Sequence, residues 1–217
     1  IYSNNSLFES PAYSKLVSPI LINKKHYANC SFIYLSPQSI EEHNHLYLDR
    51  ISNVTSLCLL YENAQIEEQE RLTHTLLDRL IHKKFQSTLD LESYLKFFPF
   101  KIQGPFSTTV IRIAQKIETD SLINLHEQLL LFSKDFKSFS IPSLFSIFGE
   151  NIVILNTQYS DKKSFERLFK SIIRHIEKRN SNYRYFVGMS IPFNDLMQFE
   201  KSHEEAKIAE NISKQSQ

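Results

Sequence analysis

The longest regular pattern in the chain is an alternation of apolar and polar residues at helical spacing, from about Ser39 to Phe85. The stretch contains neither glycine nor proline, so the pattern predicts one long helix. Its apolar residues are Leu48, Ile51, Val54, Cys58, Tyr61, Leu72, Leu76 and Leu80. Because such a helix is longer than one small domain requires, we expect its first half to belong to one module and its second half to lead into another.

Charged residues flank the apolar stripe in the second half of this helix, from Glu62 to Lys84, and the stripe narrows there. A narrow apolar stripe between charges is typical of helices that pair, including parallel pairing across a dimer. The pairing face predicted on this basis comprises Ile51, Val54, Cys58, Tyr61, Leu72 and Leu76. Packing of this face within the helix's own domain is the alternative, and the pattern does not separate the two.

Two short β-prone runs precede the helix, Leu16 to Ile22 and Tyr27 to Leu35, with Asn23-Lys24-Lys25 between them. They predict an antiparallel hairpin. Ser39 and Glu42 form a capping-box pattern for the helix. Two strands and one helix do not bury a core by themselves, so we expect the rest of this module to precede Ile1 or to come from a partner chain.

After the long helix, the pattern predicts a short helix from Leu89 to Phe98 and a boundary at Pro99 and Gly104-Pro105. Strands and helices then alternate, which indicates an α/β (α+β) fold with a mixed sheet flanked by helices. The predicted strands are Thr108–Ile113, Leu144–Phe148, Ile152–Asn156 and Tyr185–Ser190, with a tight turn at Gly149-Glu150-Asn151. The predicted helices are Ser121–Phe132, Asp161–Arg179 and Asn194–Ile212.

Composition excludes several classes of function. Lys and Arg number 25 against 24 Asp and Glu, and a net charge of +1 provides no overall field for a polyanion or an anionic membrane. No apolar run approaches the roughly 18 residues that span a bilayer. Cys30 and Cys58, the two cysteines, lie in apolar runs, so we expect buried, reduced thiols and a cytoplasmic protein. Because residue 1 is Ile rather than Met, we expect the chain to be part of a longer protein.

Two clusters of polar residues are candidate sites. His74, Asp78 and His82 follow at four-residue spacing, but one straight helix does not place three ligands around one ion, so a solvated helix face is expected and no metal. A basic stripe on the predicted helix from Asp161 to Arg179 is either an anion- or partner-binding face or a solvated surface. It consists of Lys163, Arg167, Lys170, Arg174 and Lys178.

Catalytic patterns are not found. The chain has no Gly-x-Ser-x-Gly turn, and three glycines do not make a glycine-rich phosphate loop. We therefore predict no catalytic residue and no cofactor.

Several blocks of the second module resemble the degenerate GGDEF-type domain of the PucR/CdaR family of bacterial transcription regulators. These are Gly104-Pro105-Phe106 before the first strand, Phe148-Gly149-Glu150-Asn151-Ile152 at the hairpin turn, Val187-Gly188-Met189-Ser190, and Ser202 to Ala209 with its Ser-x-x-Glu-Ala pattern. Upstream, Ser18-Pro19-Ile20 and the hairpin resemble the second half of a GAF-type sensor. The resemblance implies a partial GAF-like module at 1–61, a helical linker at 62–104 and a GGDEF-like domain at 105–217.

The turn departs from that of active GGDEF cyclases, where acidic groups in Gly-Gly-Asp-Glu-Phe and on the first strand hold magnesium. Here the turn contains Asn151, and the first strand ends near Ala114-Gln115 without a carboxylate. The resemblance therefore implies a non-enzymatic homodimer that senses a small-molecule effector and relays the signal to a DNA-binding helix-turn-helix domain outside this chain. A receptor for nucleotides or cyclic dinucleotides is the alternative, and a stand-alone protein-interaction scaffold is a third.

Overall fold

The computed structural model describes residues 14–34, 42–115, 131–132, 134–136, 139, 143–157, 162–179 and 183–215. The chain divides into two compact units, unit 1 (Ile1–Glu68) and unit 2 (Gln69–Gln217). Most of the stretch predicted as a linker therefore lies within unit 2. Among the described residues, no helix is both long and apolar enough to cross a membrane.

The described part of unit 1 begins with the predicted hairpin, which is confirmed. Strands β1 (Ser14–Ile22) and β2 (Lys25–Tyr34) pair in antiparallel register, with Ser14 opposite Tyr34. Asn23 and Lys24 connect them with φ values of 50° and 64°. Positive φ at both central residues is the geometry of the tight hairpin turn whose twist matches that of the strands.

The long helix is also confirmed, as α1 (Glu42–Ile81). Ser39, the predicted cap, lies outside the described residues. In unit 1 the hairpin is fastened to α1 by two hydroxyl groups: Ser18 Oγ donates to Asp49 Oδ1 at 2.8 Å, and Ser52 Oγ donates to the Pro19 carbonyl at 2.6 Å. The described apolar side chains that are buried in this unit are Leu16, Ile20 and Leu48.

Unit 2 contains a four-stranded sheet of β3 (Ser107–Gln115), β4 (Ser143–Phe148), β5 (Asn151–Asn156) and β6 (Tyr183–Met189) in the order β4-β5-β3-β6. The predicted α+β class is confirmed. Each pair of neighbouring strands is antiparallel, where a mixed sheet was predicted. β4 follows β3 along the chain and runs parallel to it, but β5 lies between the two strands. No two neighbouring strands are therefore parallel.

Both faces of the sheet are covered, and the apolar run of β5 contributes side chains to the core on each face. Ile152 and Ile154 join one cluster with Ile111 and with Phe169 and Ile172 of α3 (Lys162–Arg179). Val153 and Leu155 join a second cluster on the other face, with the end of α1 and the C-terminal elements. The described part of this unit also contains α2 (Thr88–Leu95), a 3-10 turn (Leu196–Gln198) and α4 (Phe199–Gln215).

The predicted helices of unit 2 are found where the structure describes them. The last helix, predicted to begin at Asn194, begins at Phe199 after the 3-10 turn, and Asp195 Oδ1 accepts a hydrogen bond from the Met197 amide at 2.9 Å. Of the helix predicted from Ser121 to Phe132, residues 121–130 lie outside the described part of the chain.

Candidate functional site

The turn singled out by the sequence joins β4 to β5. Gly149 and Glu150 form it, and Phe148 pairs with Asn151, so the turn is one residue shorter than predicted. Gly149 has φ +59°, the left-handed region in which a residue with a side chain is strained. Glu150 is exposed, and Ile152 is fully buried in the core.

Helix α1 contacts this turn through His74. The rings of His74 and Phe148 are stacked with centroids 4.6 Å apart and an interplanar angle of 17°. His74 Nδ1 also lies 2.8 Å from Ser146 Oγ, so the imidazole is held at two residues of β4. A side chain of the long helix thus packs directly on the residue that precedes the turn.

The other two residues of the four-residue spacing have different hydrogen-bond and ion-pair partners from those of His74. Asp78 Oδ1 lies 3.1 Å from His82 Nδ1, and Asp78 Oδ2 accepts a 2.7 Å hydrogen bond from Lys84 Nζ. This hydrogen bond lowers the pKa of the Asp78 carboxyl below its usual value. No group of three or more His, Cys, Asp or Glu side chains among the described residues is arranged to hold a metal ion.

A buried polar cluster lies beside the turn. Arg112 on β3 is the cross-strand partner of Asn151, and its Nε lies 3.9 Å from Oε1 of Glu210 on α4, a residue that is 2% exposed. Arg112 Nε, Asn151 Oδ1 and Glu210 Oε1 are buried without a hydrogen-bond partner in the described part of the chain. A cation at this position would meet the charge of the guanidinium, which weakens its binding.

The Ser-x-x-Glu-Ala block lies at the other end of the sheet, on α4. Ser202 Oγ donates to Ser190 Oγ at 2.7 Å and lies 2.7 Å from Thr108 Oγ1, which therefore donates to it. The Thr108 amide in turn donates to Ser190 Oγ at 2.9 Å. These buried hydroxyl groups satisfy one another, so they fix α4 against β3 and β6.

Gly188 allows the closest approach between α4 and the sheet. A Cβ atom at this position would lie 1.9 Å from the Ala206 carbonyl oxygen and 2.3 Å from the Glu210 amide nitrogen. Only a residue without a side chain fits there. The glycine of the Val-Gly-Met-Ser block and the alanine of the Ser-x-x-Glu-Ala block therefore act together as one packing contact.

The basic stripe is exposed, and apolar residues on the opposite side of α3 are buried: Phe165, Phe169, Ile172 and Ile176. Lys163, Arg167, Lys170, Arg174 and Lys178 all lie on the exposed side of α3. Lys170 and Arg174 also line a groove of about 600 Å³ between α3, β6 and α4, together with Glu166 and Glu177. The rim of this groove is thus of mixed charge, and the role of the stripe stays a prediction.

The predicted pairing face is divided between the two units. Ile51, Val54, Cys58 and Tyr61 are exposed in unit 1, whereas Leu72 is half-buried against the second core cluster of unit 2. Leu76 is 0% exposed in that cluster, which excludes it from any surface that another helix contacts. The apolar spacing of α1 continues past residue 61, but there Leu72 and Leu76 pack in the core of unit 2.

The two thiols are free, and the prediction that both are buried is wrong. Cys30 is half-buried and Cys58 is exposed. The hairpin covers the side of α1 that carries Leu48 and Ser52, and Cys58 lies on a different side of the helix.

Comparison with known families gives one match. The sequence model described as a GGDEF-like domain matches residues 83–212, which is more than half of the chain. The matched segment includes α2, the whole sheet, the turn at Gly149 and the Ser-x-x-Glu-Ala block. A search of curated proteins found no match.

Proposed function

Because the chain belongs to the GGDEF-like domain family, we propose that it is the regulatory region of a PucR/CdaR-type transcription regulator. In this proposal unit 2 is a GGDEF-like domain without catalytic activity. It receives an effector signal from unit 1 through α1 and passes the signal to a DNA-binding domain outside this chain. The signal is a population shift between two arrangements of α1, one favoured when the effector is bound and the other when it is absent.

The observation that carries the proposal is the contact of α1 with the turn. Leu76, Leu77 and Leu80 place the end of α1 in the core of unit 2, and His74 stacks on Phe148 beside the turn. A movement of α1 that displaces His74 therefore also changes the packing of the β4–β5 hairpin. Signals carried by packed helices need such a contiguous contact.

The composition of the turn supports the absence of catalysis. Magnesium is bound by several oxygen ligands, and carboxylates supply the charge that offsets its own. Here Asn151 is uncharged and lies next to Arg112, while Glu150 is an exposed carboxylate at the tip of the turn. We expect purified protein to form no product from GTP and magnesium, with an active GGDEF cyclase as the positive control. Product formation that Glu150→Ala abolishes would overturn this part.

The relay is tested in the full-length regulator with His74→Ala. The variant loses the stacking on Phe148 and the contact with Ser146, so we expect DNA binding to lose its response to the effector while the protein remains folded. His74→Phe, which keeps a ring on Phe148, is expected to retain part of the response. His82→Ala, at an exposed residue directly after the end of α1, is the matched control. An unchanged response in His74→Ala would contradict the relay.

The groove between α3 and β6 favours the second candidate function, a receptor for nucleotides or cyclic dinucleotides. Its volume of about 600 Å³ lies within the range of small-molecule sites, and Lys170 and Arg174 provide positive charge at its rim. Calorimetric titration with GTP and with cyclic dinucleotides tests it. Binding that is lost in a Lys170→Glu, Arg174→Glu double variant would favour the receptor, and no heat of binding would exclude it.

A further inference from the structure

The groove between α3 and α4 follows an edge of the sheet in unit 2. Strand β6 is the last in the order β4-β5-β3-β6, and no strand in the described part of the chain pairs with its outer side. α3 packs on one face of the sheet through Phe169 and Ile172, and α4 closes on the other face at Gly188. Because both helices and β6 line the groove, it lies along this edge.

Much of the lining of the groove is apolar. The apolar residues come from α3, β6 and α4: Phe169, Ile173, Val187, Met189 and Ala209. An edge strand beside a helix is a place where an extended peptide adds to a sheet. Main-chain hydrogen bonds to the edge strand hold such a peptide, and its alternate side chains enter the groove.

Tyr185 brings a polar group without a partner to this groove. Its side chain lines the groove and is 5% exposed, and its hydroxyl oxygen is buried with no hydrogen-bond partner in the described part of the chain. Burial, followed by the charge of Glu177, raises the pKa of this hydroxyl to about 12, so the group is a neutral donor at neutral pH. A peptide carbonyl is the kind of acceptor that it lacks.

Charges of both signs lie along α3 at the rim of the groove. In chain order they are Glu166, Lys170, Arg174 and Glu177, at spacings of four, four and three residues that keep them on one side of the helix. Their charges sum to zero. A ligand with several phosphate charges would meet two carboxylates as well as two cations. The rim therefore suits a ligand that carries one charge of each sign.

The spacing of these charges sets the length of the ligand. Glu166 already has an interaction partner within the chain, so we assign the positive end of the ligand to Glu177. Lys170 lies seven residues from Glu177, which is about 10 Å along a helix at 1.5 Å per residue. Three extended residues also span about 10 Å. A single amino acid is too short to reach both side chains.

We propose that this groove binds a short peptide of about three apolar residues with free ends, which adds to β6 as a further strand. The carboxylate of the peptide meets Lys170 and Arg174, and its ammonium group meets Glu177. The inference deepens the second candidate function, because it keeps the groove as a receptor site and names a peptide in place of a nucleotide. It does not depend on the relay through α1.

Calorimetric titration of the intact chain with the tripeptide Val-Leu-Val tests the proposal. The same peptide with an acetylated amino end, and with an amidated carboxyl end, provides two controls that each lack one charge. We expect the free tripeptide to bind, and each blocked form to bind about fivefold more weakly. Equal binding of the three forms would overturn the proposal in favour of an internal segment of a longer protein. No binding of the free tripeptide would also overturn it.

Substitutions on α3 assign the two ends of the peptide. Glu177→Gln is expected to weaken binding of the free tripeptide about fivefold and to leave binding of the acetylated form within twofold, because that form has no ammonium group to lose. Lys170→Gln is expected to act in the same way on the free and the amidated forms. An equal loss for free and blocked peptides would overturn the assignment of the charges.

Matched controls lie on the same two helices but outside the groove. Lys178→Gln on α3 and Glu204→Gln on α4 remove one charge of each sign at exposed residues, and both are expected to leave the affinity within twofold. All four variants are expected to keep the wild-type circular dichroism spectrum. Losses in the controls as large as those in the groove variants would overturn the site.

The outcomes also separate this proposal from the proposed function. Binding of GTP or a cyclic dinucleotide, but not of the tripeptide, would overturn the peptide and keep the groove as a receptor site. A chain that binds none of them would remove the groove as a receptor and leave the relay to its own test. Tripeptide binding by a regulator whose response is unchanged in His74→Ala would remove the relay alone.

Discussion

Units 1 and 2 are both built from β-hairpins and helices, but they bury very different amounts of apolar surface. The described part of unit 1 buries Leu16, Ile20 and Leu48 as its large apolar side chains, whereas the described part of unit 2 has two clusters of thirteen buried residues each. Unit 1 also exposes many large apolar side chains: Val17, Leu21, Tyr27, Ile33, Leu46, Tyr47, Ile51, Val54, Leu57, Tyr61 and Ile66. A hairpin and one helix have too little surface to cover one another.

The difference shows how one helix takes two roles. Within unit 2, α1 is held by Leu76, Leu77 and Leu80, so its position there is determined by packing. Within unit 1, few buried side chains hold α1, and other surfaces can compete for it. In the relay that we propose, the part of α1 in unit 2 is the end that is held, and the part in unit 1 is the end that responds.

The largest effect is expected from truncating a buried apolar side chain of α1 in unit 2, compared with an exposed one in unit 1. Leu76→Ala removes a fully buried side chain and leaves a cavity, so we expect it to lower the free energy of unfolding by about 2–5 kcal/mol. Val54→Ala, at a side chain that is 59% exposed, is expected to change it by less than about 0.5 kcal/mol. Urea unfolding followed by circular dichroism measures both. Equal losses would mean that the two parts of α1 are packed alike.

A slightly smaller effect is expected for Gly188→Ala in unit 2. The added methyl group overlaps the backbone of α4 at Ala206 and Glu210, and backbone atoms yield less readily than side chains. Overpacking of this kind costs about 3 kcal/mol, the upper end of the usual range. Gly149→Ala is the matched control, because nothing lies within 4 Å of its added methyl group and only backbone strain opposes it. Urea unfolding of both variants should show the larger loss at position 188.

Ser202→Ala tests the hydroxyl chain that fixes α4. The substitution leaves the Thr108 hydroxyl without its acceptor and Ser190 Oγ without one of its donors, both in a buried place. A buried polar group without a partner costs about 1–3 kcal/mol. We expect a loss of that size in thermal unfolding, and Ser56→Ala on the part of α1 in unit 1 serves as a control of the same chemistry. No loss at Ser202 would show that α4 is held by apolar contacts alone.

The last prediction concerns pH and His203, which stacks on Phe199 in unit 2 with ring centroids 6.3 Å apart. Burial, followed by the charges of Lys207 and His82, lowers the pKa of His203 to about 4. The unfolded chain therefore binds a proton below about pH 6.5 that the folded chain does not bind until about pH 4. The contribution to stability is complete above pH 6.5 and is lost as the pH falls from about 6.5 to 4.

The melting temperature measured across that range provides the test. We expect His203→Gln to reduce the slope of the melting temperature against pH. His45→Gln, at an exposed residue of unit 1, is expected to leave that slope unchanged. An identical slope in the His203 variant would contradict the prediction.

Local patterns explain what could be predicted from the sequence. The β1–β2 hairpin, the turn at Gly149 and the amphipathic faces of α3 each depend on residues that are close in the chain. Turn residues and the period of apolar side chains report such structure directly. For the same reason, the sequence alone shows that the turn departs from that of active cyclases.

Contacts between distant residues could not be predicted. His74 and Ser146 are separated by 72 positions, and nothing at either position indicates that they meet. Arg112 and Glu210 each look like ordinary exposed charges of a strand and a helix, although Glu210 is buried. The prediction that Cys58 is buried was wrong, and the pattern left open whether Leu76 pairs with another helix or packs in the core, because periodicity shows that a face is apolar but not which surface covers it.

The sequence by itself determined the order of the elements, the single long helix and the uncharged residue at the turn, since each follows from backbone preference or from residue identity. Only the tertiary structure decided where α1 changes from an exposed stripe to a core helix, which side chain of α1 contacts the turn, and how Gly188 and Ala206 join α4 to the sheet. Those features depend on which faces meet in space, and that is settled by burial and close packing across the whole unit.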